Sequence, residues 1–363
     1  MSNRIKVAVI GYGKAAFMHA EALMNIPEVE FVAVQGRNLE KATAFAARYG
    51  AKGYNRLSEM ISIEKIQAVI ICTPHPDHKA VAIEAIEAGA HVLVEKPLAS
   101  SLADCDAMIE SSDRTGKKLG VVSQRRFFPS AMRMKNAIDG GKIGKPMLGS
   151  AVLLGWRDQN YYEGDAWRGT WEGEGGGVLV NQAPHQLDLL QWYMGDEIEE
   201  LYGVWKNINH PYIEVDDTAM AILKFKNGGI ANIVVSNSQK PGLYGKVHIH
   251  GSNGASVGVE TDRGAMFIAG VSSIAQPSTN DLWTIPGEEK NLAIWEEEDG
   301  KFFRTIDAIE YYMRLQDRDF ILAILNNTEP LIPAREGRKT VEIFTAIYRS
   351  AKDTAAVRWP IKA

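Results

Sequence analysis

The first third of the chain alternates short β-branched runs with segments whose apolar positions recur every three to four residues. Ile5–Ile10 precedes a helical pattern over Ala15–Met24, Phe31–Val34 precedes Leu39–Tyr49, and Ala68–Cys72 precedes Lys79–Ala88. His91–Val94, Leu102–Arg114 and Leu119–Val122 complete the series. Strands alternating with helices of this length predict an α/β fold, with a doubly wound parallel sheet over residues 1–123. Near Gln124 the rhythm changes. After a helical segment at Ser130–Ile138 come longer strand-like runs at Met147–Trp156, Glu199–Asn207, Thr218–Phe225, Ile230–Ser236, Lys246–His250 and Ala265–Ile268. Asn227-Gly228 and Asn253-Gly254 are hairpin turns, because both residue types accept the positive φ that tight turns need. Residues 124–363 are therefore expected to form an α+β domain with a large, mainly antiparallel, open-faced sheet. A helix at Gln182–Tyr193 interrupts it, and helices at Ile306–Leu325 and Arg335–Ala351 close the chain, the last free to pack back on the first domain.

A length of 363 residues suits two domains, and 45% hydrophobic with 23% charged residues is a globular balance. The net charge of −5 gives no basic field for nucleic acid or an anionic membrane. Met1–Arg4 runs straight into the first strand, and no apolar stretch approaches the ~18 residues that span a bilayer, so a cytoplasmic protein is expected. Cys72 and Cys105 have no partner at metal-ligand spacing and read as buried thiols. His248 and His250 share a strand face without a nameable third ligand, so no metal is expected. The acidic run Glu296–Asp299 reads as a solvated loop.

Gly11-Tyr12-Gly13-Lys14-Ala15-Ala16 falls between the first strand and the first helix and fits GxGxxA, the Rossmann dinucleotide fingerprint. Gly11 permits the tight turn, Gly13 lets the backbone approach a pyrophosphate at the helix N-terminus, and Ala16 keeps helix and strand close. The second strand ends in Gln35-Gly36-Arg37-Asn38, with no carboxylate for a ribose 2′-hydroxyl. Gly36 followed by Arg37 suits a 2′-phosphate, so NADP is favoured over NAD, although Arg37 stacked on adenine would leave both usable.

Further segments follow in order: Thr73-Pro74-His75-Pro76-Asp77-His78, then Glu95-Lys96-Pro97, then Gln124-Arg125-Arg126-Phe127, and finally Gly175-Gly176-Gly177 through Asn181, His185 and Asp188. With the fingerprint they resemble, over nearly the whole chain, the Gfo/Idh/MocA oxidoreductases, named for glucose–fructose oxidoreductase, inositol dehydrogenase and a rhizopine-catabolism protein. The resemblance implies an NAD(P)-dependent sugar or cyclitol dehydrogenase with Lys96 near the nicotinamide and the reacting hydroxyl. A lysine partly desolvated beside a cationic nicotinamide is expected to have a lowered pKa and to exchange a proton near neutral pH. By the same resemblance Glu95, pointing to the other strand face, contacts the cofactor side, and the bond before Pro97 is cis. Thr73, Pro74, His75, His78 and Gln124 line the cofactor. His75 stands where the family commonly has asparagine, and His78 serves either the cofactor or the next helix.

Many relatives carry aspartate where this chain has Asn181. Asparagine cannot take a proton, which leaves Lys96 and His185 as the acid/base pair and Asn181 as a hydroxyl-binding amide. Four residues apart on a predicted helix, Asn181 and His185 share a face; Asp188 is either a third polar group or a helix anchor. Arg125 or Arg126 contacts substrate, or forms packing salt bridges. Trp156, Tyr161, Tyr162, Trp167 and Trp171, interleaved with Arg157 and Arg168, suit a sugar ring or pack the core. The two arginines add an affinity for carboxylate or phosphate. A redox-neutral glycosidase or epimerase-type enzyme and a non-catalytic cofactor-binding regulator stay open as alternatives. Pairing of the open sheet face, as in relatives, implies a homodimer or homotetramer.

Overall fold

A computed structural model describes residues 4–262, 267–268, 271–272 and 276–361. The chain divides into two compact units, Met1–Gln124 with Ile309–Arg338, and Arg125–Ala308 with Lys339–Ala363.

In the first unit the strands are β1 (Ile5–Ile10), β2 (Val29–Gln35), β3 (Lys52–Tyr54), β4 (Ala68–Ile71), β5 (His91–Val94) and β6 (Leu119–Val121). They form one parallel sheet in the order β3-β2-β1-β4-β5-β6. Val7, Ala8, Val9 and Ile10 are all buried, as a strand covered on both faces requires, which is why β1 reads as a continuous apolar run. The strand order reverses at β1, so the turns after β1 and β4 open side by side, where doubly wound sheets bind their ligands. The helix expected over Ile306–Leu325 runs Ala308–Asn326, and nearly all of it belongs to this unit rather than to the second domain. The reason is apolar. Met313, Phe320 and Ile321 join the core of Val7, Val9, Leu23 and Ile70, and Val121 N–H donates to the Ile332 carbonyl at 3.1 Å.

The second unit holds β7 (Pro146–Leu154), β8 (Ile198–Lys206), β9 (Thr218–Phe225), β10 (Ile230–Ser236), β11 (Tyr244–Gly251), β12 (Ser256–Glu260), β13 (Phe267–Ile268), β14 (Val271–Ser272), β15 (Thr279–Trp283) and β16 (Val357–Arg358). Eight of them form a sheet ordered β15-β12-β11-β7-β10-β9-β8-β16, antiparallel except where β7 meets β10; β13 and β14 pair separately. Of the strand expected over Ala265–Ile268, Ala265 and Met266 lie outside the described residues. One sheet face buries Leu201, Ala221, Leu223, Ile233 and Val235. The other exposes Leu148, Tyr202, Val204, Met220, Ile222 and Ile230, which the register sets side by side: Ile222 opposite Tyr202, Met220 opposite Val204, Ile230 opposite Leu148. The run Glu296–Asp299 is not a loop but part of the helix Asn291–Phe303, with Asp299 buried against Arg133. Among the described residues no helix is long and apolar enough to cross a membrane.

Candidate active site

In the first unit the turn after β1 is built for close approach. Gly11 has φ +109°, and a Cβ there would lie 2.9 Å from the Cys72 carbonyl oxygen, so only glycine fits. Gly13 begins the Lys14–Met24 helix, which has no side-chain cap and no acidic residue in its first turn. A Cβ on Gly13 would meet nothing within 4 Å, which leaves open space before a helix terminus whose N–H groups favour an anion. Ala16 is fully buried against the sheet. Gly36 lies under Tyr12, whose ring would be 2.3 Å from any Cβ there. Arg37 beyond it is exposed, while Asn38 is committed to capping the next helix through Lys41 N–H. Thr73 Oγ1 and Gln124 Oε1 are buried without a hydrogen-bond partner, at the turns after β4 and β6. Buried polar atoms are rarely left so, and a polar ligand along these turns would satisfy them. The residues present therefore fit a dinucleotide.

Lys96 follows β5 and is half-buried, and the Lys96–Pro97 bond is cis. Its turn is held from two sides. Glu95 Oε2 accepts the Lys96 N–H at 3.0 Å, and His78 Nδ1 lies 3.0 Å from the Pro97 carbonyl. The other His78 nitrogen lies 3.0 Å from the Thr73 carbonyl, and the ring is fully buried. His78 is thus removed from the set expected at the cofactor: its polar atoms brace two turns. Glu95 is also turned inward, toward His19, whose Nε2 is 3.3 Å from Glu95 Oε1 and whose Nδ1 is 2.9 Å from both oxygens of Asp317. Burial opposes charge on His19, but the Asp317 and Glu95 carboxylates outweigh it and hold its pKa up at about 10. Burial likewise works against the Glu95 charge, yet His19 and Lys96 keep its carboxyl below the usual range. His75 is buried, with its ring edge-on to His78.

In the second unit the three glycines have steric causes. Gly175 and Gly176 take φ of +81° and +149°, and a Cβ on Gly177 would fall 1.8 Å from the Asp216 carbonyl oxygen. Asp216 fastens this turn: its carboxylate accepts from Gly177 N–H (2.7 Å), Leu179 N–H (2.9 Å) and the Tyr348 hydroxyl (2.5 Å). Asn181 and His185 are not on one continuous helix. Val178–Asn181 makes one turn, and a second helix starts at Pro184, whose missing N–H is harmless in a first turn. Both are largely buried. The Asn181 amide donates to Glu174 Oε1 and, at 3.2 Å, to the Tyr161 hydroxyl, which also accepts from Gln182 at 2.9 Å. Glu174 Oε2 accepts from Gly169 N–H at 2.7 Å; burial pushes its pKa up to about 7. A carboxyl thus lies beside the amide that replaces the more common aspartate.

Arg126 was expected to bind substrate but is buried, with Nε and Nη2 on the two Asp188 oxygens at 2.8 and 2.7 Å and its plane over Trp192. Asp188 is therefore an anchor. Arg125 is likewise held by Gln186 and Asp262. Arg168 lies 4.1 Å over the Tyr161 ring and pairs with Asp165, and Arg157 donates to the Trp156 carbonyl at 2.8 Å. Trp156 packs on His210, and the Arg168 guanidinium lies 5.2 Å from the Trp167 ring centre. His248 and His250 engage Asp281 and Ser256. Sequence reasoning passed over His19, Asp317, Glu174 and Asp216. The available signal was a polar residue inside an apolar pattern, as at His19 between Met18 and Ala20.

A glycine turn open at a helix N-terminus, at the order reversal of a parallel sheet, with a braced lysine two strands away, defines a nucleotide-dependent oxidoreductase. A family model described as an NAD-binding Rossmann-fold oxidoreductase family, GFO_IDH_MocA, matches residues 5–123, and one for the GFO/IDH/MocA C-terminal domain matches 131–257. A 4-carboxy-2-hydroxymuconate-6-semialdehyde dehydrogenase of Sphingobium is 30% identical over 90% of this chain and 92% of its own. A myo-inositol 2-dehydrogenase of Thermotoga maritima is 29% identical over 69% of this chain and 74% of its own. The WlbA dehydrogenase of Bordetella pertussis, solved with NADH and UDP-GlcNAcA, is 28% identical with a TM-score of 0.83, covering 99% of this chain and 100% of that one. The chain belongs to the Gfo/Idh/MocA family of oxidoreductases.

Proposed function

We propose that this oxidoreductase moves a hydride between a secondary alcohol carbon of a sugar, cyclitol or sugar derivative and a nicotinamide cofactor, with Lys96 as the acid/base. The observation that carries the reading is Lys96 itself, a half-buried lysine whose backbone is tied on both sides, to Glu95 and to His78. When bound, a nicotinamide dinucleotide supplies the hydride acceptor or donor. Lys96 takes or returns the hydroxyl proton, and His185 assists as the second proton-carrying group. Asn181, tied to Glu174 and Tyr161, orients a substrate hydroxyl and carries no proton. Gly11, Gly13 and Lys14 hold the pyrophosphate, while Thr73 and Gln124 bond the nicotinamide end.

NADP is favoured over NAD by the exposed Arg37 after a strand that ends without a carboxylate. Support for the substrate class comes from relatives such as the Thermotoga inositol dehydrogenase and the Bordetella dehydrogenase solved with a sugar nucleotide. Arg157 and Arg168, beside Trp156 and Trp167, suit an acidic or phosphorylated derivative. The protein works in the cytoplasm as a homodimer or homotetramer paired through the exposed sheet face.

The test is a dehydrogenase assay over sugars, cyclitols and sugar nucleotides with NAD and NADP in parallel. Lys96→Ala is expected to lower kcat by about a thousandfold or more while cofactor affinity stays within about twofold. Full turnover by that variant, or no reduced cofactor from any member of the panel, would sink the assignment.

A further inference from the structure

Behind Lys96 the first unit holds a row of three ionisable side chains to which the proposed reaction gives no step. His19 comes from the Lys14–Met24 helix, Asp317 from the Ala308–Asn326 helix and Glu95 from the residue after β5. His19 and Asp317 are fully buried, and Glu95 nearly so. The contacts run in series: Asp317 to His19 Nδ1 at 2.9 Å, His19 Nε2 to Glu95 Oε1 at 3.3 Å, and Glu95 Oε2 to the Lys96 N–H at 3.0 Å. Removing charges from water is costly, and well-packed apolar residues of equal volume often stabilise a core as much or more. Stability alone therefore gives a poor account of the row. Its last contact, on the Lys96 peptide, gives a better one.

We propose that His19 is a positioning residue for Lys96: anchored by Asp317, it fixes the Glu95 carboxylate on the Lys96 peptide N–H and so fixes where the reacting side chain begins. This rests on the reading of Lys96 as the acid/base. Two features support it. The carboxylates keep His19 protonated, with its pKa at about 10, so both ring nitrogens donate and neither link depends on a tautomer. The row is also closed: His19 faces Asp317 and Glu95, Glu95 faces His19 and Lys96, and the neutral Cys72 thiol, pushed up by burial, lies near both carboxylates. His78 braces the far side of the turn through the Pro97 carbonyl. With Glu95 unheld, the Lys96 peptide would lose its fixed acceptor, and a displacement of about 1 Å at a reacting group costs on the order of a hundredfold in rate.

The experiment uses full-length protein. His19→Gln is expected to bind cofactor in a fluorescence titration, and substrate by KM, within about twofold of the parent, while kcat falls about ten- to a hundredfold. Because a charge two contacts from Lys96 is removed, the acid limb of the pH–kcat profile is expected to move as well, which a purely structural role would not cause. Glu95→Gln, which keeps an acceptor for the Lys96 N–H, should retain several-fold more activity than Glu95→Ala. NMR of labelled histidine in the parent protein, which needs no variant to fold, should find His19 protonated above about pH 8. A parental kcat and profile in His19→Gln, equal activity of the two Glu95 variants, or a His19 that titrates near its ordinary value would each overturn the proposal. Lys96→Ala assayed alongside separates the two readings. If it is active, the acid/base assignment fails; if it is inactive while His19→Gln is unchanged, only the positioning role fails.

Discussion

Two buried residues tie the stability of this protein to pH in the same sense but over different windows. Glu174 has an ordinary value of 4.5 in the unfolded chain and is pushed up to about 7 in the fold by burial. Between those values the folded protein holds a proton that the unfolded chain has released, so stability falls as pH rises through that window, by about 3 kcal/mol. Glu174→Gln is expected to flatten that slope in urea unfolding between about pH 4.5 and 8. His19 works in the same direction over a higher window. Its folded value lies near 10 against 6.5 unfolded, so its contribution is complete below pH 6.5 and is lost as pH climbs toward 10. A parent protein that gains stability over the alkaline window would contradict the buried imidazolium. At this scale the motif residues were legible: Gly11, Gly13 and Lys96 are read from neighbours in sequence. His19 and Asp317 were not, because they are 298 positions apart and neither implies the other until the chain folds.

Elements were readable where their pattern was regular and lost where packing replaced it. The apolar runs of β1, β4 and β5 were found within a residue or so, since strands buried on both faces need no alternation. β12 and β15 were missed. β12 contains Gly258, chosen for closeness: a Cβ there would sit 2.5 Å from the His248 ring and 2.9 Å from Asp281. The acidic stretch within Asn291–Phe303 looked like a solvated loop because nothing local announces the Arg133 that neutralises Asp299. The glycine turn before Asn181 yields a sharp expectation. Gly177→Ala must place a methyl inside the van der Waals radius of the Asp216 backbone, and a cost of at least about 3 kcal/mol should appear as a lowered thermal midpoint. Gly13→Ala meets no such obstacle in the protein alone, so its effect should fall on cofactor affinity and leave the midpoint nearly unchanged.

For the whole molecule, both sheet types were legible, and the path of the chain between them was not. Composition cannot tell which core a late helix will join; that is decided by the shape into which Met313, Phe320 and Ile321 fit. The exposed face of the large sheet, with Ile222 and Met220 at its centre, is larger in apolar content than a solvated strand face needs to be. Ile222→Glu is expected to shift the protein to monomer in light scattering without lowering its thermal midpoint by more than a few degrees; an unchanged mass would exclude pairing through that face. The return of residues 309–338 to the first unit has a consequence in time. On the ribosome the nucleotide-binding half must wait, its sheet made but one side uncovered and His19 without its anion, while roughly 190 further residues are translated, roughly 10–40 s at ordinary elongation rates. Arg125–Ala308, most of the second unit, is synthesised during that interval, so a late-made helix, not the first-made strands, sets the moment at which Lys96 acquires its support.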